Sequence, residues 1–231
     1  MTLPTLVVRD LGRVPYTEAL ALQHELVALR QADRIPDTLL LLEHPPVITL
    51  GRRRDAQTHV LAAGDVPVVQ VDRGGDVTWH GPGQLVGYPI LYLQEHERDV
   101  HVLLRNLEAA FIGLLATLGL DACRRPPHTG VWVHPGPSPS PSPKKLVSLG
   151  VAIQGWVTFH GFALNVDCDL TAFARIQPCG LDAQVMGSLA TLGATVPEPR
   201  VLRGLVASAV AHRLSRDLVS VPHASARAVD L

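Results

Sequence analysis

The chain has 231 residues, of which 47% are hydrophobic and 18% are charged, and its formal net charge at pH 7 is −1. This length predicts one domain that buries its own core, and the apolar content excludes a wholly disordered chain. The balanced charge excludes a global attraction to nucleic acid or to an anionic membrane surface. Three cysteines are too few for a disulfide framework, and no signal segment is recognisable, so we expect a cytoplasmic protein.

Hydrophobic periodicity predicts helices and strands that alternate along the chain. Apolar residues at helical spacing predict helices over residues 15–32, 99–118 and 199–218. Short apolar runs bounded by Gly and Pro predict strands over residues 38–44, 47–53, 67–73, 83–91, 129–133, 145–153 and 157–166. The pattern favours the α+β class, with a mixed β-sheet flanked by helices.

Two segments lack the side chains that a core requires. Residues 135–143, PGPSPSPSP, favour polyproline II and predict an exposed loop. Residues 219–231 predict a flexible tail. We therefore expect one domain over residues 1–218.

The most unusual stretch is RGGDVTWHGPGQ, residues 73–84, in which five of twelve residues are Gly or Pro. That composition predicts a loop without regular helix or sheet, whose bare backbone could line a ligand pocket. An elaborate turn between strands is an equally open interpretation. The glycine spacing does not match a dinucleotide fingerprint or a Walker phosphate loop, which disfavours nucleotide-driven chemistry.

Cys179 and Lys145 are the candidate reactive side chains. Cys179 lies between Pro178 and Gly180, and a loop cysteine beside a cation can become a nucleophile. A small buried cysteine and a solvated lysine at a strand start remain open alternatives. Cys123 and Cys168 have no such setting and are expected to be structural. The eleven histidines are scattered without zinc-ligand spacing, so no metal site is predicted.

Six motifs in order resemble those of the lipoyl(octanoyl) transferase family. They are EHPPVITLGRR (43–53), RGGDVTWHGPGQLVGYPI (73–90), TGVWV (129–133), KLVSLGV (145–151), FHGFALNV (159–166) and PCG (178–180). The resemblance extends over roughly residues 10–215. It implies the fold of the biotin/lipoate protein ligase catalytic domain, which is similar to that of class II aminoacyl-tRNA synthetases.

The resemblance also implies which residues act. Cys179 would be the nucleophile and Lys145 its partner. The acyl-binding residues would be Arg73, Gly74, Gly75, Asp76, Val77, Thr78, Trp79, His80, Ser148, Leu149, Gly150, Gly161, Phe162 and Ala163. The glycines among them are expected to leave a narrow apolar slot.

The implied activity is transfer of an octanoyl group through an acyl-cysteine intermediate. The donor would be octanoyl-acyl carrier protein, and the acceptors would be lipoyl domains of 2-oxoacid dehydrogenases and the glycine cleavage H protein. Acidic carriers would dock on basic patches at residues 52–54, 124–125 or 144–145. No cofactor, metal, nucleic acid or membrane is expected to take part. The alternatives are an ATP-dependent lipoate or biotin protein ligase and a non-catalytic acyl-carrier binder.

Overall fold

The computed structural model describes residues 3–135 and 142–220. Within these ranges the chain forms three α-helices: α1 (Tyr16–Gln31), α2 (Val100–Thr117) and α3 (Pro199–Arg213). The same ranges contain eleven strands: β1 (Thr5–Arg13), β2 (Asp37–Glu43), β3 (Val47–Leu50), β4 (Val68–Gln70), β5 (Val77–His80), β6 (Gln84–Ile90), β7 (Ala122–Arg125), β8 (His128–Val133), β9 (Lys144–Gln154), β10 (Val157–Asn165) and β11 (Asp217–Ser220).

A mixed eight-stranded sheet, here called the large sheet, has the order β11-β1-β2-β6-β10-β9-β8-β7. β1 is parallel to β11 and β2, whereas the other neighbouring pairs are antiparallel. Helices cover both faces of this sheet, so the predicted α+β class is confirmed.

The leucines of β2 explain why both faces are covered. Leu39 and Leu41 lie in an apolar cluster with α2 and α3. Leu40 and Leu42 lie in a second cluster with α1. Successive side chains of a strand point to opposite faces, so a continuous apolar run suits a strand that is buried on both sides.

A second sheet of three strands, here called the small sheet, has the order β4-β3-β5. Pro45 and Pro46 separate β2 from β3. Because proline cannot donate a ladder hydrogen bond, the chain leaves the large sheet at this point and enters the small one. Ile48 and Trp79 of the small sheet pack with Phe173 in an apolar cluster of their own.

The sequence analysis did not predict four of the strands: β1, β5, β7 and β11. β5 lies inside the glycine-rich stretch 73–84, for which no regular structure was predicted. It forms because it pairs antiparallel with β3, a contact between residues far apart in sequence. The prediction of an irregular loop was therefore wrong over Val77–His80.

The C-terminal boundary also differs from the prediction. α3 ends at Arg213 rather than at residue 218, and β11 then pairs with β1 as far as Ser220. The sheet thus continues past the predicted end of the domain. Residues 136–141 of the predicted Pro/Ser loop and residues 221–231 of the predicted tail lie outside the described residues.

α2 is the one helix in the described part of the chain that is long and apolar enough to cross a membrane. Its inner face packs into the core of the large sheet through Leu107, Phe111 and Leu115. A fully buried carboxylate, Glu108, sits on the same helix. Packing in the core is therefore sufficient to explain why this helix is apolar.

Candidate active site

A cavity of about 570 Å³ lies where the small sheet meets the large one. This volume falls within the range of small-ligand pockets. Most of the predicted site residues line its wall, and they come from β5, β9, β10 and the loop before β5. These residues are Arg73, Gly74, Gly75, Asp76, Val77, Thr78, His80, Lys145, Ser148, Leu149, Gly150, Gly161, Phe162 and Ala163.

Strand pairing brings two of the predicted segments side by side. β9 and β10 are antiparallel neighbours in which Ser148 lies opposite Ala163 and Gly150 lies opposite Gly161. The segments 148–150 and 161–163 therefore form one continuous part of the cavity wall. Their common location follows from the tight turn at residues 155–156, where both residues have positive φ, as a two-residue hairpin turn requires.

Gly161 does not open an apolar slot as predicted. A Cβ atom built on Gly161 would lie 2.3 Å from the carbonyl oxygen of Gly87 on β6. The missing side chain allows β6 and β10 to approach each other closely. By contrast, a Cβ on Gly74 would come no nearer than 3.6 Å, to the carbonyl oxygen of Val151.

A β-bulge sets the position of Lys145. Val131 of β8 pairs with Val147, but the next residue, Trp132, pairs with Lys145, so Leu146 is an extra residue on β9. Bulges commonly redirect a side chain at the edge of a site. Lys145 is only 4% exposed, and its Nζ lies 5.7 Å from the centroid of the Trp132 ring.

The loop before β5 is held by buried polar contacts. The Arg73 guanidinium donates Nη2 to the carbonyl oxygen and to the hydroxyl of Thr49, both at 2.9 Å. The Gly74 amide donates to the carbonyl of Val151 on β9 at 3.0 Å. Gly75 has a φ of 90°, which L side chains rarely adopt. These contacts fix the loop against both sheets.

Asp76 connects this loop to the next wall of the site. It is buried, and its Oδ1 lies 2.9 Å from His59 Nδ1. Its Oδ2 lies 3.3 Å from Nη1 of Arg53, which also lines the cavity. The Arg-Gly-Gly-Asp segment is thus tied to β3 through Arg73 and to the segment after β3 through Asp76.

Trp79 was predicted to bind the acyl group but does not line the cavity. Along β5, alternation directs His80 toward the cavity and Trp79 toward the opposite face. There the indole packs edge-on against Phe173, with ring centroids 5.3 Å apart. Its place in the motif is explained by the core of the small sheet.

The backbone of Cys179 lies in a 3-10 turn, Pro178–Gly180, and its side chain lies outside the described part of the structure. Pro178 lines the same cavity as Lys145. The chain then returns to β9, where Met186 forms a bridge with Lys145 and the Gly187 amide donates to the Lys145 carbonyl. The residue before Cys179 therefore shares a cavity with Lys145, and the segment after it contacts the Lys145 backbone at residues 186 and 187.

The other two cysteines lie in settings that disfavour a thiolate. Cys168 is buried, and this burial raises the pKa of its thiol to about 12. Burial also raises the pKa of the Cys123 thiol. Neither residue lines the cavity, so both keep the structural role expected of them.

A cluster of polar aromatic side chains lies at the cavity wall, and the sequence analysis did not predict that they would come together. It consists of Tyr16, His44, His80, Tyr88 and His160. His44 Nε2 lies 2.7 Å from the Tyr88 hydroxyl, and the rings of Tyr16 and His80 stack 6.0 Å apart. No local pattern signals this cluster, because its members come from five separate segments.

Burial controls the charge of this cluster. It lowers the pKa of His44 to about 4 and the pKa values of His80 and His160 to about 3. Burial also raises the pKa of Tyr16 to about 12. The cluster is therefore uncharged near neutral pH, and Arg73 in the cavity wall is a cation that acts electrostatically on four of its members. Among residues 3–135 and 142–220, no group of three or more His, Cys, Asp or Glu could hold a metal ion.

Comparison with known proteins identifies the class of this fold and site. A family model described as "Lipoyl protein ligase A/B catalytic domain" matches residues 15–209. The fold is similar to that of a putative lipoate protein ligase from T. acidophilum, solved with bound lipoic acid. The TM-score is 0.69 at 15% identity, over 96% of this chain and 89% of that one. Fold and site together define a catalytic domain of the lipoyl protein ligase A/B class.

Curated relatives identify the branch of that class. An octanoyltransferase of Geobacter metallireducens is 47% identical over 201 residues, which cover 87% of this chain and 90% of the relative. An octanoyltransferase of Geobacter sulfurreducens is 52% identical over 172 residues, which cover 74% of this chain and 69% of the relative. The chain belongs to the octanoyltransferase family and is an acyltransferase. The predicted family, fold and enzyme class are confirmed.

Proposed function

We propose that this protein transfers the octanoyl group from octanoyl-acyl carrier protein to the lysine ε-amine of lipoyl domains, through a thioester on Cys179. The observation that carries the proposal is the meeting of two motifs at one cavity. Buried Lys145 lines that cavity, and so does Pro178 in the turn that holds Cys179. Octanoyltransferase relatives at about half identity support the acyl group and the reaction.

The chemistry requires a reactive thiolate. A free thiol has a pKa of about 8.5, so only a few per cent is ionised at neutral pH. The ammonium group of Lys145 would favour the thiolate of Cys179 by charge attraction. The thiolate attacks the carbonyl of the donor thioester, the C–S bond to the carrier breaks, and the leaving carrier thiolate takes a proton from the Lys145 ammonium.

The second half-reaction restores the cysteine. The lysine amine of the lipoyl domain attacks the acyl-Cys179 carbonyl, the amide bond forms, and the C–S bond breaks. The amine releases its proton to Lys145, which the first half-reaction left neutral, and Cys179 leaves as a thiolate. Because the donor thioester is already activated, no nucleotide is consumed, which agrees with the lack of a phosphate-loop motif in the sequence.

The cavity wall offers an apolar surface for the alkyl chain. Val100 and Leu104 of α2 line one side, and Leu149, Val151 and Phe162 of the large sheet line another. Burying each methylene of an alkyl chain contributes about 0.8 kcal/mol. The octanoyl tail is proposed to lie against these side chains.

Acidic carriers are proposed to dock at the cavity entrance, which we place beside the cavity-lining Arg53. Arg52 and Arg54 are exposed, whereas Arg53 is paired with Asp55 and Asp76. Arg52 and Arg54 are therefore the stronger candidates for docking within the predicted patch at residues 52–54. Charge complementarity of this kind acts mainly on the association rate.

The deciding experiment is incubation with octanoyl-acyl carrier protein, without ATP or Mg²⁺, followed by intact mass measurement. The wild type should gain the mass of one octanoyl group, and Cys179→Ala should not. Cys123→Ala is the matched control and should gain the group like the wild type. An adduct that survives in Cys179→Ala would overturn the nucleophile assignment, and transfer that requires ATP would indicate a ligase instead.

A second measurement tests Lys145. In Lys145→Ala, the pH midpoint for alkylation of Cys179 should rise, because the thiolate loses its neighbouring positive charge. The midpoint is read on the Cys179 peptide by mass spectrometry, so that Cys123 and Cys168 do not contribute. An unchanged midpoint would remove Lys145 from the activating role.

A further inference from the structure

The side chain of Lys145 passes over a glycine on the neighbouring strand. A Cβ atom built on Gly130 of β8 would lie 2.6 Å from Lys145 Cε and 2.6 Å from the carbonyl oxygen of Val147. Gly130 also has a φ of 131°, which side chains rarely adopt. The space that Lys145 occupies therefore exists only because residue 130 has no side chain.

A buried carboxylate holds that glycine in place. Glu108 of α2 is fully buried, and its Oε1 accepts the Gly130 amide at 3.0 Å. Its Oε2 accepts hydrogen bonds from Arg105 at 2.6 Å and from Arg124 at 2.9 Å. A buried carboxylate in an apolar helix is costly unless it is paired and hydrogen-bonded in this way. The Glu108 contacts thus link α2, β7 and β8 behind Lys145.

We propose that Glu108 and Gly130 are positioning residues for Lys145. Glu108 fixes the backbone of Gly130, and Gly130 leaves the path along which the lysine side chain reaches the cavity. The inference rests on the proposed function, in which Lys145 acts on Cys179. Neither Glu108 nor Gly130 lines the cavity.

The test must separate this geometry from the charges around Lys145. His128 on β8 interacts electrostatically with Lys145, and Arg125 on β7 lies over the Trp132 ring. Arg53, Arg73 and Asp76 share the cavity wall with it. None of these groups changes in the variants below, so a shift can be assigned to Glu108 or Gly130.

The experiment measures the pH midpoint of Cys179 alkylation, on the Cys179 peptide, in the full chain. Gly130→Ala and Glu108→Ala should raise the midpoint by roughly half a unit or more, toward the value for Lys145→Ala. Glu108→Gln should stay near the wild type, because its amide oxygen still accepts the Gly130 N–H. It should nevertheless unfold at a lower temperature, because it loses two ion pairs. Stability and midpoint are thereby separated.

Gly113→Ala is the matched control on the same helix as Glu108. A Cβ atom on Gly113 would meet nothing within 4 Å, so its midpoint should equal that of the wild type. An unchanged midpoint in folded Glu108→Ala or Gly130→Ala would overturn the inference. Equal shifts in Glu108→Gln and Glu108→Ala would also overturn it, because the charge of Glu108 would then be responsible rather than its hydrogen bond.

Three further outcomes are decisive. If Gly130→Ala does not fold, the comparison of Glu108→Ala with Glu108→Gln decides alone. If Lys145→Ala leaves the midpoint unchanged, the role of Lys145 in the proposed function is wrong and this inference falls with it. A shift in Lys145→Ala without a shift in the other variants would overturn only the positioning role.

Discussion

The large sheet and the small sheet are stabilised by different kinds of contact. The large sheet is stabilised by apolar packing, and the four leucines of β2 are completely buried between helices on either side. The small sheet has a smaller apolar core of its own, and the loop before β5 is fixed by polar contacts, such as those of Arg73 with Thr49 and of His59 with Asp76. Its edge strand β4 leaves Val68 exposed.

Stability and chemistry therefore depend on different parts of the molecule. The large sheet supplies a rigid frame, and the loop of the small sheet supplies much of the cavity wall against it. Changes within the frame should therefore reduce the free energy of unfolding. Changes at the loop and at the cavity entrance should mainly alter ligand binding and rate.

The largest expected effect contrasts two glycines of the cavity wall. Gly161→Ala should lower the free energy of unfolding by about 3 kcal/mol, since its Cβ would collide with the backbone of β6. Gly74→Ala, in the loop, should change it by less than about 1 kcal/mol, because its nearest contact is of ordinary length. Urea unfolding at pH 7 measures both. Equal losses in the two variants would contradict the distinction between frame and loop.

The frame is also the part that sequence predicts best. α1 was expected over residues 15–32 and is found at Tyr16–Gln31, and β2, β6 and β10 lie close to their predicted ranges. These elements have long apolar patterns of their own, so local sequence is sufficient to indicate them. Family motifs added the residues around the cavity, most of which do line it.

What the sequence did not predict depends on distant contacts. β5 exists because it pairs with β3, and the bulge at Leu146 exists because of the register between β8 and β9. Tyr16 reaches the cavity from a helix whose pattern indicates only that one face is buried. Gly161 was assigned to a slot because its close approach to Gly87 is invisible without the pairing of β6 and β10.

An intermediate effect is expected at the junction of the two sheets, where the rings of His44 and His80 lie 5.8 Å apart. The unfolded imidazole has a pKa of about 6.5, whereas burial lowers that of His44 to about 4 and those of His80 and His160 to about 3. Between these values the unfolded chain binds more protons than the folded one. Their stabilisation is therefore complete above pH 6.5 and is lost as the pH falls toward 3 to 4.

His160→Asn tests this loss. In the wild type, the free energy of unfolding should fall by on the order of 1 kcal/mol per buried histidine for each pH unit below 6. Asparagine does not titrate, and it tolerates the φ of 56° at this position. Urea unfolding at pH 7 and pH 5 should give a smaller difference for the variant than for the wild type. Exposed His101→Asn is the control, and a wild-type difference in His160→Asn would show that His160 does not contribute.

The smallest expected effect is at the proposed docking patch, where exposed Arg52 and Arg54 flank the cavity-lining Arg53. Reversing the charges of exposed Arg52 and Arg54 to Glu should leave stability within about 0.5 kcal/mol of the wild type. It should lower kcat/KM for an acidic acyl carrier several-fold at low salt, because attraction to the carrier is replaced by repulsion. The difference should shrink at high salt, because the screening length falls from about 10 Å at 0.1 M to about 3 Å at 1 M. Reversal of exposed Arg34 is the matched control, because neither Arg34 nor its sequence neighbours line the cavity, whereas Arg52 and Arg54 flank the cavity-lining Arg53. An equal effect from Arg34→Glu would indicate general charge attraction and would exclude docking at the entrance.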